Sequence, residues 1–317
     1  MKILITGVAG FIGYSLANKL IKKHQVIGID NFDNYYSVSL KKERVKLLNK
    51  SKNFKFSKID ISNEKKLKNF LKNKKFNQVI HLAAQVGVRY CKTNPSKYIK
   101  TNITGYFNLL NNLNYTNLKK IIYASSSSVY GDKKKFPIKE TEKLNPKNIY
   151  GLSKKFNEQI SDLYSNKVNL VGLRFFTVYG TWGRPDMFFI KILKSIINNE
   201  KFNLHNNGNH YRDFTFIDDV VNLIEKLTQK KPKHNHEIYN ICSQKPILIK
   251  DLVKKIEKKF GKSSLINQPL NNLEMIKTHG NNSRIKKVLG YKKFQSIDYG
   301  LEQTINWFKA HKHKIKF

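Results

Sequence analysis

Short apolar runs alternate with longer amphipathic segments over the first half of the chain. Short runs without polar positions are typical of strands buried on both faces of a parallel sheet. Segments in which apolar residues recur every three or four positions predict helices that cover such a sheet. The predicted strands span 2–6, 25–29, 54–59, 77–82 and 119–124, and the predicted helices span 11–22, 64–71 and 95–113.

The pattern loosens after one further helix to about residue 165 and one further strand over 169–174. A loop over 181–186, a helix over 187–198, a polar turn over 205–211 and a helix over 216–227 follow. The alternation implies right-handed crossovers between parallel strands. It therefore predicts a doubly wound α/β fold, with a parallel Rossmann sheet over 1–175 and a smaller α/β lobe over 176–317. Part of 210–245 is expected to return to the first domain.

The composition is that of a globular protein with sizeable cores, since the chain has 317 residues of which 40% are hydrophobic. The sequence has no apolar run of about 18 residues, the length that crosses a bilayer. Its first residues form a strand-like run too short for a signal peptide. Cys91 and Cys242 have neither metal-ligand nor redox spacing. These features predict a cytoplasmic protein with reduced thiols, no bound metal and no membrane association.

The formal net charge is +38, from 60 Lys and Arg residues against 22 Asp and Glu residues. A charge of this size suggests nucleic-acid binding. However, the excess is mostly lysine spread along the chain, and its densest runs, at 133–135, 230–231 and 311–314, fall in predicted loops or at the terminus. The sequence has no arginine-rich cluster and no interleaved aromatic run of the kind that binds single strands. We therefore interpret the charge as solvated surface that also attracts an anionic substrate, without a specific nucleic-acid partner.

Three glycines, Gly7, Gly10 and Gly13, follow the first predicted strand and open the first helix. This spacing permits a tight turn, close approach of the backbone to a pyrophosphate and close packing of helix on strand. Asp30 ends the second strand, where a carboxylate accepts hydrogen bonds from both ribose hydroxyls and repels a 2′-phosphate. The pattern predicts NAD rather than NADP, and a purely structural glycine turn is the alternative.

Further predicted cofactor contacts lie at the same edge of the sheet. They come from the start of the first helix and the ends of the next strands: Phe11, Ile12, Asn31, Asp60, Ile61, Leu82, Ala83 and Ala84. Asn102, in the following helix, is predicted either to contact the cofactor or to serve in capping and packing.

Tyr150 and Lys154 lie four residues apart at the start of a predicted helix, and therefore on one face about one turn apart. A fixed cation favours the phenolate form of a tyrosine, whose ordinary pKa is about 10. Ser126, in a serine-rich strand end, is predicted to hydrogen-bond the same substrate oxygen as the phenol. These residues predict an acid–base tyrosine beside a nicotinamide, with Lys154 lowering its pKa. A surface tyrosine beside a solvated lysine is the alternative.

The glycine pattern, Tyr150 and Lys154 combine with further motifs at 81–84, 124–131 and 212–214. Together these motifs resemble the extended short-chain dehydrogenase/reductase superfamily, in its nucleotide-sugar epimerase branch, over essentially the whole chain. Within that branch, the UDP-glucuronate 4-epimerases are similar in four segments: 30–36, 85–90, 174–180 and 182–187.

The resemblance implies interconversion of UDP-glucuronate and UDP-galacturonate by transient oxidation at C4 with bound NAD. Tyr150 would deprotonate the C4 hydroxyl, and the 4-keto sugar would rotate before hydride returns to its other face. By the same resemblance, Arg212 would anchor the diphosphate, with Arg89 and Arg284 as further contacts. A homodimer through the helices at 95–113 and 151–165 is also implied.

The implied sugar contacts are Ser127, Ser128 and Thr177, with Arg184 binding the uronate carboxylate through two parallel hydrogen bonds. Local alternatives stay open, because Thr177 is equally suited to capping a turn and Arg184 to bracing its loop. Thr181 departs from the proline that the family generally has there. The choice of sugar therefore depends on a loop of altered composition.

Four other functions compete with this interpretation. The nearest is a 4-epimerase of neutral UDP-sugars such as UDP-glucose, UDP-galactose or their N-acetyl forms. A sugar dehydratase is disfavoured, because its relatives have an Asp-Glu pair where this chain has serines. A nucleic-acid-binding protein on an epimerase-like fold would fit the charge, and a catalytically inactive NAD sensor would fit the glycines. Neither would need Tyr150, Lys154 and the serines together.

Overall fold

A parallel sheet with helices on both faces forms the first part of the protein in this computed structural model, which describes residues 1–269 and 275–312. Its first six strands are β1 (Lys2–Thr6), β2 (Gln25–Asp30), β3 (Phe54–Lys58), β4 (Gln78–His81), β5 (Lys120–Ser126) and β6 (Asn169–Phe175). The helices between them are α1 (Phe11–Leu20), α2 (Val38–Leu48), α3 (Glu64–Leu71), α4 (Tyr90–Thr93), α5 (Pro95–Tyr98), α6 (Gly105–Asn112) and α7 (Ile149–Tyr164).

Further strands and helices follow in the rest of the described chain. The strands are β7 (Thr177–Tyr179), β8 (Lys201–His205), β9 (Tyr211–Phe216), β10 (His236–Ile241), β11 (Pro246–Leu248) and β12 (Ser264–Gln268). The helices are α8 (Phe188–Ile197), α9 (Ile217–Gln229), α10 (Ile249–Phe260), α11 (Ser283–Leu289) and α12 (Ile297–His311).

The large sheet has seven strands in the order β10-β6-β5-β4-β1-β2-β3, and its pairings are all parallel. The predicted doubly wound α/β fold is confirmed. β10 forms one edge of this sheet, so the chain returns to it after leaving β6, and α9 packs against α1. The remaining strands form two small sheets, β11-β9-β7 and β12-β8.

The sheet places the site because its strand order reverses beside β1. Ligands of open α/β sheets bind at such a reversal, in the crevice beyond the carboxyl ends of the strands. The strands that lead there are anchored by apolar side chains with no solvent exposure, such as Ile3, Leu4 and Ile5 in β1. Burial on both faces is why these strands appear in the sequence as unbroken apolar runs.

The predicted single helix over 95–113 is interrupted by a π-helical turn over Ile99–Thr104. A π-turn accommodates one extra residue and changes which side chains face inward. Here it directs Asn102 into the protein, where the side chain is fully buried. The prediction of an uninterrupted helix was therefore wrong, because an apolar period of 3.6 contains no sign of such an insertion.

Candidate active site

A cavity of about 380 Å³ lies at the carboxyl ends of the central strands. The predicted cofactor contacts that line it are Gly7, Gly10, Phe11, Ile12, Gly13, Asp30, Asn31, Asp60, Ile61, Leu82, Ala83 and Ala84. The predicted catalytic and sugar contacts that line it are Ser126, Ser127, Ser128, Tyr150, Lys154, Thr177 and Arg184. The fold therefore collects groups distant in sequence into one space.

The glycine loop forms a cradle that larger residues would fill. A Cβ on Gly13 would lie 2.2 Å from the Gly7 carbonyl oxygen, and one on Gly7 would lie 2.6 Å from the Ala83 nitrogen. Gly7 also has a φ of 71°, which side chains disfavour. α1 begins after Gly10 without a side-chain cap, so its first backbone N–H groups are available to an anion. This geometry fits the pyrophosphate of NAD.

Asp30 links the end of β2 to the glycine loop. Its carboxylate accepts hydrogen bonds from the Ala9 nitrogen at 3.1 Å and from the Phe32 nitrogen at 2.8 Å. Burial raises the pKa of Asp30, and these two hydrogen bonds oppose the shift. The carboxylate therefore both braces the loop and borders the cavity where a ribose would lie.

Asp60 and Asn31 border the same end of the cavity and contact each other. The Asn31 amide donates to Asp60 at 3.2 Å, and the Ser62 nitrogen and hydroxyl donate at 2.9 and 2.7 Å. Burial acts to raise the pKa of Asp60, but these hydrogen bonds and the charge of Lys100 lower it overall. The carboxylate stays ionised and fixed beside the predicted adenine position.

Asn102 lies outside the cavity lining and has a structural environment. Its amide oxygen accepts from the Gln85 nitrogen at 2.7 Å, and its amide nitrogen donates to the Gln85 oxygen at 3.1 Å and to the Ser153 hydroxyl at 2.9 Å. Among its two predicted roles, these contacts favour packing. Asn102 joins the wall segment after β4 to α7.

α7 carries Tyr150 and Lys154 into the cavity. The helix begins after Asn148, whose side chain accepts from the Gly151 nitrogen at 2.9 Å. A Cβ on Gly151 would lie 2.6 Å from the Ser128 oxygen, so the helix start packs closely on the serine-rich end of β5. This close approach brings the phenol and Ser126 together.

Burial dominates the electrostatics of the acid–base pair. It raises the pKa of Tyr150, while a hydrogen bond with Ser126 and the charge of Arg184 lower it. Burial also lowers the pKa of Lys154 to about 7. The Lys154 ammonium donates to the Ala124 carbonyl oxygen at 2.9 Å. Ser126 and Arg184 therefore lower the pKa of the phenol, which is the effect that we predicted for Lys154.

Arg184 reaches the cavity but is already paired within its own loop. Its Nε donates to one oxygen of Asp186 at 3.0 Å and its Nη2 to the other at 2.5 Å. The Tyr35 hydroxyl donates to the same carboxylate at 3.1 Å. Asp186 therefore accepts the paired hydrogen bonds that we predicted Arg184 to donate to the sugar carboxylate. Among the described residues, no hydrogen bond occupies Nη1, which remains for a ligand.

Three predicted arginines do not line the cavity. The Arg212 Nη1 donates to the Tyr211 carbonyl oxygen at 2.9 Å on β9. Arg284, on α11, lies with its Cζ 5.2 Å from the centre of the Tyr239 ring. Arg89 is exposed just before α4. Their predicted contacts with a nucleotide remain predictions.

Sequence reasoning missed several side chains of the cavity wall. Tyr35, Tyr36 and Lys41 line it from the β2–α2 connection and α2. The motif at 30–36 pointed to this segment through family resemblance, without indicating which side chains face inward. The Lys41 ammonium donates to the Asp33 carbonyl oxygen at 2.5 Å, and burial lowers its pKa.

Comparisons with known proteins agree with this geometry. Residues 3–242 match the NAD dependent epimerase/dehydratase family, and the chain belongs to that family. It is 40% identical, over 97% of its length and 98% of the relative, to Protein CapI of Staphylococcus aureus. It is 38% identical, over 98% of its length and 75% of the relative, to UDP-glucuronate 4-epimerase 4 of Arabidopsis thaliana.

A solved structure extends the similarity to the fold. UDP-glucuronic acid 4-epimerase from Bacillus cereus, in complex with UDP-glucuronic acid and NAD, matches with a TM-score of 0.91. The two chains are 32% identical, and the match covers 98% of this chain and 99% of that one. The predicted superfamily and the predicted activity of an NAD-dependent nucleotide-sugar 4-epimerase are confirmed.

Two further findings concern only residues 1–269 and 275–312. No helix in these ranges is long and apolar enough to span a membrane. The same part of the chain contains no group of three or more His, Cys, Asp or Glu residues arranged to hold a metal ion.

Proposed function

We propose that this protein is a UDP-glucuronate 4-epimerase, which interconverts UDP-glucuronate and UDP-galacturonate through a 4-keto sugar. One observation supports this above all: Tyr150, Ser126 and Arg184 line the same cavity as the glycine loop. An acid–base phenol and a guanidinium thus border one space beside a dinucleotide cradle. Similarity to UDP-glucuronate 4-epimerases over 98% of this chain supports the choice of sugar.

The residues of the site divide the work between proton transfer and positioning. Tyr150 would take the proton of the C4 hydroxyl at its phenolate oxygen and later return it to the oxygen on the inverted carbon. NAD, when bound, supplies the hydride acceptor and donor for C4. Ser126 lowers the pKa of Tyr150 and would hydrogen-bond the same sugar oxygen. Lys154 holds the carboxyl end of β5 through the Ala124 carbonyl.

The sugar and nucleotide contacts complete the proposal. Ser127, Ser128 and Thr177 would face the hexose, and Arg184 would bind its carboxylate. A 4-keto uronate is a β-keto acid that tends to lose CO₂, so a fixed carboxylate favours epimerisation over decarboxylation. With the predicted domain boundary, residues 1–175 would bind NAD, and the lobe at 176–317 would mainly bind the UDP-sugar.

The reaction is tested by incubating the purified protein with UDP-glucuronate and separating the UDP-sugars. We expect UDP-galacturonate as the product. Tyr150→Phe should lower turnover by at least about 100-fold, because this variant lacks the phenolic oxygen that would take and return the proton. UDP-pentose as the main product would instead indicate decarboxylation. Unchanged UDP-glucuronate, with turnover of UDP-glucose, would overturn the choice of sugar.

Arg184 tests the choice of sugar directly. Arg184→Leu should reduce kcat/KM for UDP-glucuronate by about 100-fold, since a charge-assisted hydrogen-bonded pair is lost, and affect any UDP-glucose turnover much less. Asp186→Asn is a matched variant that keeps the guanidinium and removes the carboxylate it is paired with. Equal losses on both sugars in Arg184→Leu would contradict a role in carboxylate recognition.

We also propose a homodimer in the cytoplasm. Five of the ten large hydrophobic side chains exposed among the described residues lie on the α5–α6 region and α7: Ile99, Phe107, Leu152, Phe156 and Leu163. These neighbouring helices contact each other, so a second copy would complete a four-helix contact about a two-fold axis. The two free cysteines fit a reducing compartment.

The dimer is tested by light scattering of the full chain. Leu163 is 77% exposed, and Leu163→Glu should give monomers, because a dimer would bury the new carboxylate. The matched control is Ile276→Glu, since Ile276 is 61% exposed elsewhere on the surface. Monomeric parent protein, or dissociation by the control alone, would refute this interface.

A further inference from the structure

Arg44, on α2, is a buried cation that the proposed chemistry does not use. The residue has no solvent exposure. Within residues 1–269 and 275–312, the ion pairs do not include Arg44. Burying a guanidinium without a carboxylate partner is strongly unfavourable unless other acceptors satisfy it. The groups that accept hydrogen bonds from Arg44 therefore indicate the function of this buried side chain.

The acceptors of Arg44 come from three separate segments. Its Nη1 donates to the Ala9 carbonyl oxygen at 2.8 Å and to the Tyr36 hydroxyl at 3.0 Å. Its Nη2 donates to the Trp182 carbonyl oxygen at 2.5 Å and approaches that of Gly183 at 3.4 Å. Its Nε has no hydrogen-bond partner among the described atoms. The guanidinium is thus placed to join these segments.

Each segment borders the candidate site. Ala9 belongs to the glycine loop, and its own nitrogen donates to Asp30. Tyr36 lines the cavity. Trp182 and Gly183 immediately precede Arg184 in the 181–186 loop. One side chain therefore connects the predicted pyrophosphate cradle to the loop that carries the predicted carboxylate ligand.

The 181–186 loop needs such a connection because of its backbone. Trp182 has a φ of 59°, a left-handed conformation that is uncommon for a bulky residue. Its ring lies 5.0 Å from Tyr14 on α1 and 5.4 Å from Trp307 on α12, between ring centres. Packing holds the ring, and Arg44 holds the carbonyl. A lysine offers a point charge without the planar fork that bridges several acceptors.

We propose that Arg44 is a positioning residue that couples the glycine loop to the 181–186 loop. A dinucleotide that fixes the first loop then also fixes Arg184 in the second. The coupling itself follows from the contacts of Arg44. Its effect on sugar choice rests on the proposed function of Arg184.

The fluorescence of Trp182 reports directly on this coupling between the two loops. The chain has two tryptophans, so Trp307→Phe leaves Trp182 as the only one. In that parent, NAD should reduce quenching of Trp182 fluorescence by acrylamide. Adding Arg44→Gln should raise the quenching constant without NAD by about twofold and abolish the response to NAD, because buried charge-assisted hydrogen bonds to the loop are lost.

Kinetics provide a second readout, in the full chain with both tryptophans. Arg44→Gln should lower the ratio of kcat/KM for UDP-glucuronate over UDP-glucose by about tenfold, and weaken NAD binding by a similar factor. Lys46→Gln is the matched control, since it removes one cation from α2 and its side chain is 74% exposed. Arg44→Lys keeps the charge and should be intermediate.

The outcomes separate the inference from the proposed function. An unchanged quenching constant and NAD response in folded Arg44→Gln would overturn the proposal that Arg44 couples the two loops. If Arg44→Gln does not fold, parent-like quenching and NAD response in Arg44→Lys would overturn it equally. Altered quenching with an unchanged sugar ratio would overturn the coupling to Arg184. Altered quenching in a protein that turns over neither sugar would support the coupling of the two loops by Arg44 and would refute only the proposed function.

Discussion

Lys154 combines a positioning role at the end of β5 with a stability cost. Its side chain is almost fully buried, and burial lowers its pKa from 10.5 to about 7. The folded state therefore binds fewer protons than the unfolded state between about pH 7 and 10.5. Stability from this group consequently rises with pH across that window, and the penalty of the buried ammonium is fully present below pH 7.

Lys154→Met tests this penalty. The variant removes the ammonium and one hydrogen bond, so we expect it to be inactive but no less stable than the parent at pH 6. Its stability relative to the parent should fall by on the order of 2 kcal/mol between pH 6 and pH 9. Urea denaturation at both pH values measures the difference.

The neighbouring lysine supplies the control for that experiment. Lys155 is half-exposed on the same helical turn, so Lys155→Met removes a lysine without removing a buried ammonium. A stability difference for Lys154→Met that did not change with pH would contradict a buried, easily deprotonated Lys154.

At the scale of elements, a buried ion pair fixes α7 against the sheet. Arg174 on β6 donates to both oxygens of Glu158 on α7, at 2.9 and 2.7 Å, and the Ser125 hydroxyl on β5 donates to the same carboxylate at 2.5 Å. Burial acts to lower the pKa of Arg174, but the hydrogen bond and charge of Glu158 raise it overall. This network sets the position of the helix that carries the acid–base pair.

Glu158→Gln should destabilise the protein strongly, because it leaves the Arg174 guanidinium buried without a counter-charge. We expect a loss of about 3–5 kcal/mol, observable as a large shift of the denaturation midpoint. Glu43→Gln is the matched control, because Glu43 pairs with Lys46 at the surface at 3.8 Å and its loss should cost less than about 1 kcal/mol. Similar losses in both variants would contradict the importance of the buried pair.

The sequence predicted the central strands closely, because each is a buried apolar run whose pattern depends on the sheet alone. It did not predict α2, whose inward face includes the buried polar residues Lys41 and Arg44. These residues hide the amphipathic pattern that identifies a helix. Ser37, which caps α2 by accepting from the Leu40 nitrogen at 3.3 Å, was the available sign.

The candidate site was predictable in its residue types more than in its pairings. Glycine spacing and the Tyr150–Lys154 interval follow from local geometry, so the cradle and the acid–base pair were identifiable. No local pattern predicts the pairing of Arg184 with Asp186 or the left-handed backbone at Trp182 in the same loop. Long-range contacts such as those of Arg44 are likewise invisible in sequence spacing.

At the scale of the whole molecule, the formal net charge is +38, whereas the proposed UDP-sugar substrate is an anion. A positive field raises the rate of encounter with such a substrate and is screened by salt, with a Debye length of about 10 Å at 0.1 M. We expect kcat/KM for the UDP-sugar to fall several-fold between about 0.05 and 0.5 M salt. Steady-state kinetics across this range measure the effect.

RNA binding separates a general field from a specific partner. Purely electrostatic binding of RNA should collapse as salt rises through the physiological range. Tight, salt-resistant binding would instead favour the nucleic-acid-binding alternative.

A kcat/KM that did not respond to salt would contradict steering of the substrate by the surface charge.

The return of β10 to the edge of the large sheet has a consequence for biosynthesis. When β6 leaves the ribosome, its outer edge lacks its partner until roughly 60 further residues have been made. At about 5–20 residues per second, that interval lasts on the order of several seconds. During it, the nascent chain presents a strand edge open to pairing with other chains. Chaperone demand during translation should therefore be concentrated between residues 175 and 241.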